Sequence, residues 1–145
     1  MIKIVKEKYL KLIQQLRKNA RIPLSSISKL SGTPISTLHD RLKLTEKNYI
    51  TKYTSLINYQ KLGYSLRAKI LICSNAIEKW KEFIKLNNNI NSAYNLQGDY
   101  DFLIECIFKD VSEFNNFMND LSLMPVLSKQ VYFINEDIKK EAFLA

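Results

Sequence analysis

Apolar residues recur at helical spacing in the first third of the chain. Four of them occupy positions i, i+3, i+4 and i+7 and predict a first helix: Tyr9, Leu12, Ile13 and Leu16. This helix ends near Asn19, because Pro23 disfavours a helical conformation in the residue before it. A second helix begins at Pro23, where no backbone donor is needed, and its inward residues are Leu24, Ile27 and Leu30. It ends at Gly32, which suits the left-handed conformation that closes many helices.

A third helix is predicted directly after this turn. Thr33 is its N-cap and Pro34 lies in its first turn. Its inward positions are Ile35, Leu38 and Leu42. Asn48 then leaves the helix in a left-handed conformation, and the aromatic and β-branched residues 49–54 predict a strand. Two helices joined by a short turn at Gly32, the second with a polar and basic outer face, are typical of a helix-turn-helix.

From residue 66 onward, strand and helix periods alternate. Alternating or β-rich segments predict four strands, over 68–73, 92–96, 100–108 and 126–134. Between them lie two helices, one capped by Ser74 or Asn75 and the other opened by a capping box of Asp110 and Glu113. The order βαββαβ is the ferredoxin-like arrangement, a four-stranded antiparallel sheet with two helices on one face. Because both sheet faces are apolar, the open face is expected to meet a partner.

The sequence therefore predicts an α+β protein with an N-terminal winged-type helix-turn-helix and a C-terminal ferredoxin-like domain. The expected boundaries are 1–53 for the helix-turn-helix, 54–65 for a linker and 66–145 for the ferredoxin-like domain. A length of 145 residues fits two small domains, and a hydrophobic content of 46% excludes a disordered chain.

Composition also limits the location and the chemistry. The longest nearly uncharged apolar run, residues 70–77, is too short to span a bilayer, and residues 1–8 lack a signal-peptide pattern. We therefore expect a soluble, cytoplasmic protein with no membrane partner. Cys73 and Cys106 are too few for a disulfide framework or a metal site of three or four ligands, and His39 is the only histidine. We predict no metal, no cofactor, no catalytic residue and no enzyme.

The net charge of +8 is unevenly distributed. Residues 1–63 hold 13 lysine and arginine residues against 3 acidic ones, a charge of +10, and residues 64–145 hold 9 against 11, a charge of −2. A basic excess confined to one half is typical of a polyanion-binding module joined to another domain. The alternative is an ordinary lysine-rich solvated surface.

The third helix carries the candidate DNA contacts. Ser36, Thr37 and Asp40 point away from its apolar stripe. Three further polar residues flank that stripe: His39, Arg41 and Lys43. Hydroxyl groups bind phosphates or base edges, and an arginine reads guanine through two hydrogen bonds. Arg21 and Lys29 are candidate phosphate contacts. The competing interpretation is a solvated helix face without a ligand.

Several stretches in this order resemble the Lrp/AsnC (leucine-responsive, feast–famine) family of transcription regulators. They are residues 16–24, 27–32 and 36–42, then Leu62-Gly63-Tyr64, then Gly98-Asp99-Tyr100-Asp101. The chain departs from the family pattern between Arg41 and Ile50, where it is one residue shorter and has Asn48 in place of a glycine.

The resemblance implies a sequence-specific regulator that binds double-stranded DNA and forms homodimers and higher oligomers through its second domain. It also implies that Gly98, Asp99, Tyr100 and Asp101 lie near a site for an amino acid or another small effector. A plain hairpin turn is the alternative for that loop.

Two other functions compete with a DNA-binding regulator. The βαββαβ order is also that of an RNA-recognition motif, but here Asp99 precedes the third strand, which contains Asp101 and Glu105, and the half-chain is acidic. Some proteins that resemble this family are haem-pathway decarboxylases. They would be expected to have histidines or arginines in the second half, where this chain has only Arg67.

Overall fold

The computed structural model describes residues 6–145, so Met1–Val5, part of the stretch inspected for a signal peptide, lie outside the described residues. The chain divides into two compact units. The first comprises the chain up to Leu56 together with Ile138–Ala145, and the second is Ile57–Asp137. The domain boundaries expected from the sequence stay a prediction. Nothing in the sequence indicated that Ile138–Ala145 would group with the first unit.

Three helices form the first unit: α1 (Glu7–Lys18), α2 (Leu24–Ser31) and α3 (Ile35–Asn48). Their stripes meet in a small core of four buried residues, which are Leu12, Leu16, Ile27 and Leu38. Gly32 ends α2 with a φ of 67°, so the left-handed turn predicted there is confirmed. An L side chain at this position would be strained, which is why glycine suits it. The helix-turn-helix is thereby built from α2, this turn and α3.

Several details of this unit differ from the sequence prediction. Leu30 and Ile35 were predicted to face inward but are 73% and 51% exposed, because the core of three short helices covers only a narrow stripe of each. Thr33 is not the N-cap of α3: the helix starts one residue later, and Pro34 occupies the cap without a side-chain hydrogen bond. Likewise α2 begins at Leu24, with Pro23 as its cap.

The strand predicted over 49–54 is absent, and no residue from Ile50 to Asn58 belongs to a regular element. Asn48 does not leave the helix in a left-handed conformation: it is the last residue of α3, and its Nδ2 donates to the carbonyl of Leu44 at 2.8 Å. The Tyr53 hydroxyl donates to Glu46 Oε1 at 3.0 Å. The segment therefore has side-chain contacts with α3 in place of a partner strand.

The second unit is a four-stranded antiparallel sheet with two helices. Its elements are β1 (Leu66–Cys73), α4 (Ile77–Leu86), β2 (Ile90–Asn95), β3 (Phe102–Phe108), α5 (Val111–Ser122) and β4 (Ser128–Phe133). The strand order β2-β3-β1-β4 confirms the ferredoxin-like arrangement. A short 3₁₀ turn, Gln60–Leu62, precedes the sheet.

One face of the sheet packs against both helices. The alternate residues predicted for β1 and β3 are buried there, together with residues of α4 and α5: Ala68, Ile70, Ile72, Trp80, Phe102, Ile104, Cys106, Phe108, Phe117 and Leu121. Ring contacts join the sheet to both helices, with Phe108 and Phe117 centroids 5.3 Å apart and Trp80 and Phe102 centroids 6.3 Å apart. The period-two pattern therefore identified the buried residues of β1 and β3 correctly.

Element ends are less exact than element positions. β3 starts at Phe102 rather than at residue 100, β4 covers only Ser128–Phe133, and Ala76 rather than Ser74 or Asn75 caps α4. Asp110 does cap α5, since its Oδ1 accepts from the Glu113 amide at 2.9 Å. The Glu113 carboxylate reaches back one residue beyond the cap, to the amide of Lys109.

Candidate DNA-binding helix and effector loop

The solvent-facing side of α3 carries the predicted DNA contacts. Ser36, His39, Asp40 and Lys43 are exposed, and Thr37 is half-buried at the edge of this side. Leu38 on the opposite side is 3% exposed and anchors the helix in the core. Helical spacing places Ser36, Asp40 and Lys43 in one row, one turn apart. The row therefore presents a hydroxyl, a carboxylate and an ammonium group to solvent.

Arg41 lies on a different flank of α3 from this row. It is half-buried and lines a groove of about 570 Å³, together with Lys11 and the Glu7 carboxylate on α1 and exposed Leu30 on α2. Glu7 Oε1 and Lys11 Nζ are 2.7 Å apart, and this contact lowers the pKa of Glu7. The Arg41 carbonyl accepts the hydroxyl of buried Thr45 at 2.7 Å. The guanidinium thus borders the groove rather than the exposed row.

The two candidate phosphate contacts lie outside α3. Arg21 is exposed between α1 and α2, where its amide donates to Asn19 Oδ1 at 3.0 Å. Lys29 is exposed in the last turn of α2. Both belong to the same compact unit as α3, so all eight predicted DNA contacts lie in the first unit, with Arg41 on a different flank from the exposed row.

The loop between β2 and β3 holds the four residues predicted to bind an effector. Gly98 has a φ of 147°, Asp99 is exposed, and Tyr100 and Asp101 are half-buried. The Asp101 carbonyl accepts from the Leu96 amide at 2.7 Å and from Asn95 Nδ2 at 2.9 Å, and its amide donates to Ile72 at 2.9 Å. The loop is therefore fixed to β1 and β2 through the Asp101 backbone.

Asp101 also has a structural partner for its carboxylate. Its Oδ2 accepts from the amide of Ser74, a residue that is 5% exposed, at 2.8 Å. The Ser74 hydroxyl donates to the Pro125 carbonyl at 2.6 Å, which also accepts the Trp80 indole N–H at 2.8 Å. Asp101 and Asp99 belong to the same loop motif, but of the two only Asp99 is exposed. The bond to Ser74 had no sequence signal, because the two residues are 27 positions apart.

The sheet face opposite the helices carries a polar network that sequence analysis missed. Arg67 pairs with Asp137 in bidentate fashion, through Nη1–Oδ2 at 2.8 Å and Nη2–Oδ1 at 3.0 Å. Arg67 Nη2 is also 3.7 Å from Glu105 Oε1, and its guanidinium lies over the Tyr59 ring. The hydrogen bonds that Arg67 donates to the Asp137 carboxylate raise the pKa of Arg67. The sequence signal for this network was a pair of oppositely charged residues at outward positions, Arg67 on β1 and Glu105 on β3.

Around this network the open face carries apolar side chains interspersed with polar ones such as Lys69 and Gln130. Leu71 and Leu103 lie directly opposite each other on β1 and β3, and both are partly exposed. Tyr94 on β2 and Tyr132 on β4 are 58% and 55% exposed. Neither α4 nor α5 covers these side chains, since both helices pack on the other face.

Within residues 6–145, no group of three or more metal-ligating side chains occurs. In the same part of the chain, no helix is both long enough and apolar enough to cross a membrane.

Comparisons with known proteins agree with this architecture. Residues 72–142 match the model of the Lrp/AsnC ligand binding domain. The chain is 38% identical over 112 residues to the HTH-type transcriptional regulator FL11 of Pyrococcus furiosus, covering 75% of this chain and 74% of that protein. It is 29% identical over 119 residues to the transcriptional regulator AzlB of Bacillus subtilis, covering 78% and 75%.

Solved structures show the same fold. The transcriptional regulator NMB0573 of Neisseria meningitidis, in complex with L-Met, superposes with a TM-score of 0.85 at 24% identity over 94% of each chain. AsnC of E. coli superposes with a TM-score of 0.80 at 15% identity, covering 94% of this chain and 96% of that one.

A helix-turn-helix unit and a ferredoxin-like unit, present together in one chain, define a class of transcription regulators. The chain belongs to the Lrp/AsnC family within that class. It is thus a helix-turn-helix transcription regulator, and the RNA-recognition alternative is set aside. Its relatives are named as transcription regulators, which are not enzymes.

Proposed function

We propose that α3 enters the major groove of double-stranded DNA and reads its sequence. The exposed row of Ser36, Asp40 and Lys43, on the second helix of a helix-turn-helix, is the observation that carries this proposal. Thr37 and His39 lie beside the row and contact bases or sugar-phosphate there, and Arg41 reaches the duplex from the groove on its own flank of α3. Arg21 and Lys29 bind phosphates, which sets the position of the unit on the duplex.

The protein acts as a homodimer or a larger homo-oligomer that pairs the open sheet faces of its second unit. Leu71, Leu103 and Tyr94 lie on that face, where pairing removes their apolar surface from water. Two copies of α3 related by a two-fold axis then meet two half-sites, separated by about 10–10.5 base pairs or a multiple of that spacing.

The loop from Gly98 to Asp101 binds an amino acid or a similar small effector. The complex of L-Met with the structurally similar regulator NMB0573 supports this class of ligand. The exposed carboxylate of Asp99 faces solvent in the loop and pairs with the ammonium group of the ligand, while loop amides bind its carboxylate. The Asp101 backbone holds the loop in place, and its carboxylate accepts the Ser74 amide. This regulator acts in the cytoplasm, and no reaction is proposed for it.

Selection of bound duplexes from a random DNA pool, with and without L-Met, tests the proposal directly. We expect a loose palindrome and an affinity that falls steeply with salt, because phosphate contacts release counterions. Arg41→Ala is expected to weaken the selected site by on the order of 1–3 kcal/mol. Lys29→Ala, which removes a phosphate contact, is expected to weaken selected and random DNA alike. Absence of any bound duplex at low salt would contradict DNA recognition.

A further inference from the structure

One side of α1 borders the groove of about 570 Å³ that also contains Arg41, here called the α1 groove. All the residues that line it belong to the first compact unit. Among the residues that the structure describes, four charged side chains line this groove: Glu7, Lys8, Lys11 and Arg41. Three cations and one carboxylate give the lining a net positive charge, so the groove favours an anionic ligand.

Two of these cations carry a charge that no carboxylate neutralises within the described part of the chain. The half-buried guanidinium of Arg41 has neither a hydrogen bond nor an ion pair there. The Lys8 ammonium lies 5.2 Å from the centroid of the Tyr9 ring, a contact that leaves its positive charge in place. Both groups are therefore available to an incoming anion.

Lys11 differs from these two cations, because a carboxylate already binds it. Glu7 Oε1 lies 2.7 Å from Lys11 Nζ, one helical turn away on the same side of α1. The contact lowers the pKa of Glu7, which therefore stays ionised at neutral pH. Because the side chains of Lys11 and Glu7 are 72% and 76% exposed, water screens the pair, and an anion can take the place of the carboxylate at little cost.

We propose that the α1 groove binds the sugar-phosphate backbone of the duplex through Lys8 and Lys11, and that Glu7 competes with the phosphate for Lys11. This rests on the proposed function, in which Arg41 reaches the duplex from the same groove, so that the cations of α1 lie beside the same stretch of DNA. Phosphate oxygens accept from ammonium groups whatever the base sequence. Glu7 therefore lowers the affinity for all duplexes alike, and α1 becomes a third DNA-contacting helix beside α2 and α3.

A double-mutant cycle in the full-length chain tests the competition: Lys11→Gln, Glu7→Gln and the variant with both changes. Lys11→Gln is expected to weaken selected and random duplexes equally and to reduce the slope of log affinity against log salt by about 1. Glu7→Gln is expected to raise the affinity for both duplexes about twofold, since an exposed pair of this kind is weak. In the Lys11→Gln background most of that gain should be lost. An equal gain in both backgrounds would show that Glu7 acts by its own charge and would overturn the competition.

A second exposed pair in the chain supplies the matched controls. Glu78 and Lys81 on α4 lie 2.9 Å apart and belong to the second compact unit. Lys81→Gln and Glu78→Gln make the same charge changes, and we expect them to leave the salt slope at its wild-type value. If Lys11→Gln and Lys81→Gln give the same affinity and the same slope, the α1 groove does not bind the backbone.

Limited acetylation of lysines, measured for each lysine by mass spectrometry, decides the site independently of sequence reading. The wild-type chain is acetylated alone, with a random duplex, and with millimolar inorganic pyrophosphate as a probe for phosphate oxygens. We expect both additions to protect Lys8 and Lys11 relative to Lys81. If the wild-type chain binds no duplex, the proposed function fails, and the pyrophosphate sample still judges the groove: protection of Lys11 over Lys81 supports a phosphate site there. Equal acetylation of the two lysines with and without pyrophosphate overturns it.

Discussion

Replacing Asp101 with alanine is expected to destabilise the second unit without changing the path of its loop. The change removes the carboxylate that accepts the Ser74 amide at 2.8 Å. Ser74 is 5% exposed, so water cannot easily replace the lost acceptor. The Asp101 backbone keeps its bonds to Leu96 and Ile72, which hold the loop in place. The variant therefore isolates the contribution of one carboxylate.

The expected cost is about 1–3 kcal/mol, the range for leaving a buried donor unsatisfied or losing a hydrogen bond to a charged group. For a unit of this size, 1 kcal/mol corresponds to roughly 4–8 °C in Tm, so a decrease of about 4–24 °C follows. Fluorescence of Trp80, the only tryptophan in the chain, reports on the same network through its bond to Pro125. Thermal unfolding followed by Trp80 fluorescence, at one fixed protomer concentration, measures the change in Tm.

Asp99→Ala is the matched control for this experiment. It removes the same charge from the same loop, but Asp99 is exposed, and its carboxylate has no described role in packing. We expect stability within about 0.5 kcal/mol of the wild type and, from the proposed function, a loss of L-Met binding in calorimetry. Equal stability of the Asp101→Ala variant and the wild type would refute the structural role of the Ser74 contact.

Three further outcomes follow from single residues. Gly32→Ala is expected to lower the free energy of unfolding in urea by about 1 kcal/mol, because φ at this position is 67°. A Cβ there meets no atom within 4 Å, so only backbone strain acts, and a stabilised variant would contradict this. Leu121→Ala should cost about 3 kcal/mol or more, since Leu121 is fully buried, and a cost below about 1 kcal/mol would contradict the assigned core. Burial raises the pKa of the Cys106 thiol to about 12, so this thiol carries no thiolate at pH 8 in the folded protein. Ellman's reagent should therefore modify half-buried Cys73 first, and Cys106 only after unfolding. Because the folded state favours the neutral thiol, this contribution to stability is complete below pH 9 and falls as the pH rises from 9 toward 12.

The sequence by itself determined the kind and order of the regular elements. Helical spacing located α1, and period-two alternation over Phe102–Phe108 located the central strand β3 with its buried face. Gly32 marked the turn of the helix-turn-helix, because few other residues adopt its positive φ. These features depend on residues close in the chain, and local patterns record them.

Only the tertiary structure decided which polar groups are engaged. Asp99 and Asp101 look alike in the sequence, but Asp101 is bonded to Ser74, 27 residues away. The strand expected over 49–54 failed for a related reason, since β propensity forms a strand only where a partner edge is available. The contact of Arg17 with Glu141 joins residues 124 positions apart. Such pairings follow from how the elements are brought together in space, which no local pattern in the sequence encodes.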